Sequence, residues 1–106
     1  MSQKEIEAEN DRNWPQWREK ENLSYFLIGL SGEVGELMNC LKKYERFLRG
    51  WKGNYLTYEQ FVEKLKDELP DIKIYLDLTA GLVGLDVEEL VREKQRVNRK
   101  RFGWRE

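Results

Sequence analysis

Histidine is absent from this sequence of 106 residues, and Cys40 is its only cysteine. Without histidine, the protein can have no imidazole general base and no Ser/His/Asp triad. One cysteine and no histidine also cannot supply the ligands of an ordinary zinc site. Any chemistry must therefore use carboxylates, lysines and a metal ion.

Long apolar runs are also lacking, since no stretch approaches the roughly 18–20 residues that span a bilayer. Residues 1–11 are polar and do not contain the apolar stretch of a secretion signal. Because Cys40 has no second cysteine to pair with inside the chain, a reducing compartment is favoured. We therefore expect a cytoplasmic protein with no membrane partner.

Positive and negative charges nearly cancel. Charged residues make up 37% of the sequence, but the formal net charge is only -1. This balance argues against a protein that coats nucleic acid or binds a membrane surface. The length predicts a single domain over residues 1–106, with a modest core that partner subunits could complete.

Apolar residues recur at intervals of three and four from residue 23 to residue 48. This period predicts a long amphipathic helix that ends near Gly50. Two glycines and an asparagine within residues 49–56 predict a loop. Upstream, residues 1–12 are expected to be a mobile, charged lead-in, and Pro15 is suited to the first turn of a helix.

Two further helix starts carry capping signals. Thr57 and Gln60 form a capping-box pattern, which predicts a helix that runs to about Ala80. The same pattern at Asp86 opens a last helix. Because no segment alternates with period two for long enough to form a strand, we predict an all-α helical bundle.

Acidic residues form two pairs, Glu33 with Glu36 and Glu68 with Asp71. The i,i+3 spacing places the two side chains of each pair one turn apart on one helix face. At about 100° per residue, both pairs flank the apolar stripe of their helix on the same side. Antiparallel packing would bring four carboxylates together, whereas the alternative is two solvated charged faces.

Four carboxylates within about 4–6 Å would repel by several kcal/mol at an effective dielectric near 20. They could become protonated, recruit basic side chains or bind divalent cations, and all-oxygen ligation suits Mg²⁺ or Mn²⁺. Gly29 and Gly32, one turn before the first pair, either leave room for a ligand or allow close helix packing. Pro70 predicts a kink that re-aims Asp71, or else a helix that restarts at Pro70.

Aromatic residues cluster ahead of the first acidic pair, at Trp14, Trp17, Tyr25 and Phe26. They could stack on a nucleobase or pack in a core or subunit interface, and packing is the favoured interpretation.

The acidic pairs lie in a longer pattern that resembles the MazG-like nucleotide pyrophosphohydrolases. The resemblance is carried by five stretches: residues 29–37 (GLSGEVGEL), 42–43, 67–76 (DELPDIKIYL), 84–89 (GLDVEE) and 94–101. It extends over residues 22–103 and implies that family's all-α fold. The order of the two acidic motifs and the basic end is more specific than any one stretch.

By this resemblance, Glu33, Glu36, Glu68 and Asp71 are magnesium ligands, and Mn²⁺ can substitute. Such enzymes hydrolyse a nucleoside triphosphate to the monophosphate and pyrophosphate, in a role such as nucleotide-pool housecleaning. Bound metal would neutralise the triphosphate and activate a water molecule. We assign Glu36 as the general base that accepts the proton of that water.

Residues 92–106 contain seven cationic and two acidic side chains, a net charge of +5. In this basic C-terminal segment, Lys94 and Arg101 match the family's phosphate-side residues. Lys43 is a second phosphate candidate. Asn98 is a candidate contact for base or sugar, although Arg96 stands where the family often has asparagine.

The resemblance also implies a homo-oligomer, either a dimer or a tetramer. Two other functions compete with the enzyme. One is a non-catalytic helical interaction module, and the other is a nucleic-acid binder that uses the basic C-terminal helix. The complete four-acid set favours the enzyme, so a nucleic-acid partner is not expected.

Overall fold

The computed structural model describes residues 1–105, which form helices and connecting turns and no strand. The four α-helices are α1 (Gln3–Asn13), α2 (Asn22–Leu48), α3 (Tyr58–Leu82) and α4 (Val87–Phe102). A short 3-10 turn, Pro15–Arg18, connects α1 to α2. The all-α class predicted from the sequence is therefore confirmed.

The two long helices, α2 and α3, form an antiparallel hairpin. Near the loop, Tyr44 of α2 stacks on Phe61 of α3 with ring centroids 5.1 Å apart. At the other end of the hairpin, Phe26 of α2 lies against Tyr75 of α3 at 6.4 Å. Early residues of one helix therefore face late residues of the other, which is the arrangement required to bring the acidic pairs together.

The ends of the hairpin helices follow local backbone chemistry. Gly50 has a φ of 68° just beyond α2, a conformation that favours glycine, so the predicted end near this residue is confirmed. The Thr57 hydroxyl accepts from the Gln60 N–H while the Gln60 side chain accepts from the Thr57 N–H. The predicted capping box is thus present, and α3 then extends two residues beyond Ala80.

The prediction of a mobile lead-in over residues 1–12 is wrong, because α1 occupies this part of the chain. Ser2 and Glu5 form a capping box, and Ile6 packs with Trp17, Phe26 and Leu78 in the buried core. Helix α1 contains one large apolar residue, Ile6, so its sequence shows no apolar repeat that would mark it as an amphipathic helix. The helix start predicted at Pro15 yields only the 3-10 turn.

The core of one chain is small for its apolar content. Trp17 and Phe26 are its fully buried large side chains. In contrast, Ile28 on α2 is 72% exposed, Leu69 on α3 is 52% exposed, and α4 has no buried residue. Much apolar surface on the helices is therefore left uncovered. No helix within residues 1–105 is long and apolar enough to cross a membrane.

Candidate metal centre

Three carboxylates meet where the middle of α2 faces the middle of α3. Glu33 and Glu36 come from α2 and Glu68 comes from α3, and each offers an oxygen within 4.8 Å of the others. Glu33 and Glu68 are partly buried, whereas Glu36 is exposed. The i,i+3 spacing on α2 and the antiparallel hairpin together produce this group, which we call the acidic cluster.

Asp71, the fourth predicted ligand, lies outside this cluster of three. Its negative charge nevertheless contributes to raising the pKa of Glu68, so it lies on the same side of α3. Three of the four predicted carboxylates therefore converge, with Asp71 as an exposed neighbour, and the role of Asp71 as a fourth ligand stays a prediction. A fourth carboxylate at the same distance would add further repulsion between like charges.

Pro70 lies within α3, between Glu68 and Asp71, and α3 continues through it. The alternative prediction, that a helix restarts at Pro70, is therefore wrong. Proline removes one backbone hydrogen bond of the helix, but it does not end the helix here. The predicted kink at Pro70 stays a prediction.

The electrostatics of the acidic cluster centre on Glu68. A carboxyl–carboxyl hydrogen bond with Glu33 raises the pKa of Glu68 above its ordinary 4.5, and partial burial and the charge of Glu33 raise it further. When both groups are ionised, no proton is available for that bond. The Oε2 atom of Glu68 is then shielded from solvent without a hydrogen-bond partner.

An unpartnered, desolvated carboxylate oxygen is unfavourable unless a cation or a donor compensates it. No lysine or arginine within residues 1–105 forms an ion pair with Glu33, Glu36 or Glu68 at 4.0 Å or less. The donor set consists of oxygen atoms alone, which suits Mg²⁺ or Mn²⁺. The residues present therefore fit a divalent metal ion.

The two glycines beside the cluster serve different purposes. A Cβ added at Gly29 would lie 2.5 Å from Cε1 of Tyr75, so this glycine allows the aromatic ring to approach α2 closely. A Cβ at Gly32 would meet no atom within 4 Å, so the space there is open. The close-packing interpretation is thus confirmed for Gly29, whereas use of the open space at Gly32 by a ligand stays a prediction.

Tyr75 is a neighbour of the acidic cluster that was not predicted from the sequence. Burial raises its pKa, and nearby Tyr25, Glu33 and Asp71 raise it further. Its hydroxyl therefore lies beside the acidic cluster. The signal was present in the sequence, since Tyr75 follows Asp71 by four residues and shares its helix face.

The aromatic residues ahead of the acidic cluster separate into two groups. Trp17 and Phe26 are fully buried, which confirms the packing interpretation for both. The Trp17 indole also donates a hydrogen bond of 2.9 Å to Asp11. Trp14 and Tyr25 are exposed, but both also pack edge-to-face on Phe26, with ring centroids 5.9 and 5.7 Å away. Stacking of either ring on a nucleobase stays a prediction.

The predicted phosphate-side residues do not gather around the acidic cluster in this chain. Lys43 is on α2, seven residues after Glu36 and about 10 Å further along the helix axis. Lys94, Asn98 and Arg101 lie on α4, which packs extensively on no other helix of the described chain. Their proposed contacts with substrate stay predictions.

These three residues of α4 share a face with its apolar side chains. Relative to Lys94, at about 100° per residue, Leu90 lies at roughly -40° and Val97 at roughly -60°. Asn98 and Arg101 lie at roughly +40° and -20° on the same scale. Leu90 and Val97 are 50% and 51% exposed. A surface that covers this apolar stripe would therefore also contact the three polar residues.

Among curated proteins, dCTP pyrophosphatase 1 of Homo sapiens and dCTP pyrophosphatase 1 of Bos taurus are each 30% identical to this chain over 92 residues. The chain is similar to both over 87% of its length. It spans only about half, 51%, of the length of each relative. No family model matches the chain, and no solved structure matches it.

Proposed function

We propose that the protein is a metal-dependent nucleoside triphosphate pyrophosphohydrolase. The observation that carries this proposal is the acidic cluster of Glu33, Glu36 and Glu68, with its shielded, unpartnered Glu68 oxygen. The similarity to two dCTP pyrophosphatases supports the reaction class. The names of these relatives make dCTP the first substrate to test. A cytoplasmic role in nucleotide-pool housecleaning belongs to the same proposal.

Glu33, Glu36 and Glu68 would hold Mg²⁺, and Asp71 would complete the ligand set. When bound, the ion neutralises triphosphate charge and makes water a stronger nucleophile at neutral pH. The water oxygen forms a bond to the α-phosphorus, the bond to the bridging oxygen breaks, and pyrophosphate leaves. Glu36 accepts the proton of the water, because it is the exposed member of the cluster and is accessible to substrate.

We also propose that the chain acts as a homo-oligomer, a dimer or a tetramer. The uncovered apolar surfaces of α2, α3 and α4 support this proposal, since large exposed apolar patches mark interaction sites. A second copy that covers the stripe of α4 would draw Lys94, Asn98 and Arg101 into the interface. There Lys94 and Arg101 would bind phosphate and Asn98 the base or sugar, and Lys43 is a further phosphate ligand.

The test is a pyrophosphate-release screen over canonical and modified (d)NTPs with Mg²⁺. We expect release by the unmodified chain and a loss of about 100-fold or more in Glu36→Gln, the range expected for removal of a general base. Asp71→Asn is expected to lose turnover and metal binding together. Glu63→Gln is the control, because Glu63 is exposed, lies outside the acidic cluster and pairs with Lys66 of the same helix.

Two outcomes would contradict the proposed function. One is the absence of pyrophosphate release with every nucleotide tested. The other is unchanged turnover in both Glu36→Gln and Asp71→Asn, which would remove the acidic cluster from the reaction.

A further inference from the structure

Gln3, which is only 3% exposed, connects the start of α1 to the turn between α3 and α4. Its side-chain Nε2 donates to the Leu85 carbonyl at 2.7 Å, and its Oε1 accepts from the Val87 N–H at 2.6 Å. Its backbone N–H donates to the Glu88 carboxylate at 3.2 Å. The buried Gln3 side chain therefore binds one backbone group in the turn just before α4 and another at the first residue of α4.

Few other interactions fix the direction of α4. This helix has no buried residue and packs extensively on no other helix of residues 1–105. The turn before it contains Gly84 at φ 77° and the N-cap Asp86, which accepts from the Glu89 N–H. The N–H groups of Gly84 and Leu85 donate to the Gly81 and Ala80 carbonyls and tie the start of the turn to α3, whereas the Asp86 cap defines where α4 starts. The Gln3 side chain joins these two parts of the turn.

The α1 end of the connection is firmly held. Ile6 packs in the core with Leu78 of α3, and the Ser2–Glu5 capping box fixes the first turn of α1. Arg18 pairs with both Glu7 and Asp11 and ties α1 to the 3-10 turn. Because α1 is bound to the hairpin that carries the acidic cluster, Gln3 relates the base of α4 to that cluster.

Replacing Gln3 with an apolar residue would leave the Leu85 carbonyl and the Val87 N–H without their partner. Backbone groups left unpaired in a buried position are costly, so the turn would rearrange to expose them to water. Because few contacts restrain α4, a small change at its base would move its far end by a large distance.

We propose that Gln3 is a positioning residue that sets the direction in which α4 leaves the hairpin. It thereby places Lys94 and Arg101 relative to the acidic cluster. This inference rests on the proposed function, which assigns these two cations to the triphosphate.

The structural test measures the distance between spin labels on Cys40 of α2 and on Lys100→Cys of α4. Labelled chains are diluted with excess unlabelled chains, so that only pairs within one chain contribute. We expect a narrow distribution of label-to-label distances in the protein with Gln3. In Gln3→Met, which preserves side-chain length, we expect a broader distribution or one with a shifted mean distance. Phe61→Ala is the control, because it weakens packing near the loop of the hairpin, away from α1, and leaves the Gln3 hydrogen bonds in place. An unchanged distribution in Gln3→Met would overturn the inference.

The kinetic test separates positioning from simple loss of stability. We expect Gln3→Met to raise the KM for the triphosphate roughly tenfold, which is the effect of losing one charge-assisted hydrogen bond to the substrate. The kcat at saturating substrate and the affinity for Mn²⁺ should stay unchanged. Phe61→Ala should leave KM unchanged. An equal rise in KM for both variants would overturn the inference. If the unmodified protein hydrolyses no nucleotide, the proposed function fails, and the distance measurement still decides the role of Gln3.

Discussion

Glu68 carries a polar atom that the protein alone does not satisfy. Its Oε2 is shielded from solvent and has no hydrogen-bond partner, while Glu33 and Glu36 place further carboxylate oxygens within 4.8 Å. The pKa of Glu68 is also raised, first by its hydrogen bond with Glu33 and then by burial and by repulsion from Glu33. At the scale of single residues, the acidic cluster is therefore a place where a proton or a cation would relieve an unfavourable arrangement of the folded chain.

The pH dependence of folding stability tests this property without substrate. A carboxyl group whose pKa is raised in the folded state binds its proton more tightly there than in the unfolded chain. Its contribution is therefore fully present below 4.5 and is lost as the pH rises through the raised pKa of Glu68. In chelator-treated protein, we expect Glu68→Gln to reduce this loss, as measured by denaturant unfolding across that pH range.

Addition of Mg²⁺ is expected to raise the midpoint of thermal unfolding of the unmodified chain, because a ligand of the folded state stabilises it. The effect should be smaller in Glu68→Gln and unchanged in the control Glu63→Gln. Identical pH profiles and identical responses to Mg²⁺ in all three proteins would contradict the role assigned to Glu68.

At the scale of helices, the α2–α3 hairpin could be predicted from the sequence because both helices are long and periodic. The capping box at Thr57 and the glycine beyond α2 also follow from local chemistry. Helix α1 shows no apolar period, since its main anchors are one isoleucine and a buried glutamine, and the Ser2–Glu5 capping pattern is the signal in the sequence that marks its start. Asp71 shows a second limit, because an angle on a helical wheel gives a direction and not a distance.

The two glycines of α2 provide a matched pair of helix-packing variants. Gly29→Ala places a methyl group against the Tyr75 ring, so we expect it to destabilise the fold by about 1–3 kcal/mol. Gly32→Ala meets open space, and its better helix propensity should stabilise the fold by up to about 1 kcal/mol. Denaturant unfolding measures both changes.

Pyrophosphate release by the same two variants tests the space beside the cluster. Gly32→Ala should lower turnover despite its greater stability, since the added methyl group occupies room proposed for the ligand. Full activity in Gly32→Ala would show that this space is not used by substrate.

At the scale of the whole molecule, a small core and extensive exposed apolar surface coexist in one chain. The sequence could not place α4, because the surface that would cover its apolar stripe is not provided by α1, α2 or α3. The apolar stripe lies beside Lys94 and Arg101 on one face of α4. In the proposed enzyme, subunit assembly and substrate binding would therefore use the same face. Subunit association and phosphate affinity should then change together.

Sedimentation measurements test this assembly directly. We expect the unmodified chain to sediment as a dimer or a tetramer, and Leu90→Gln with Val97→Gln to shift it toward the monomer, because the apolar stripe of α4 is removed. Arg92→Gln on the opposite face, at roughly +160° on the scale used above, is the control and should leave the mass unchanged. A monomeric unmodified chain at the concentrations used for catalysis would contradict the proposed oligomer.

The acidic cluster draws its members from two helices, and this has a mechanical consequence. A cation held by Glu33 and Glu36 on one side and Glu68 on the other would fasten the middle of the hairpin. Separating the helices would then require the ion to leave, so local opening and ion release would be one event. The stiffness of the hairpin would follow the concentration of free magnesium around it.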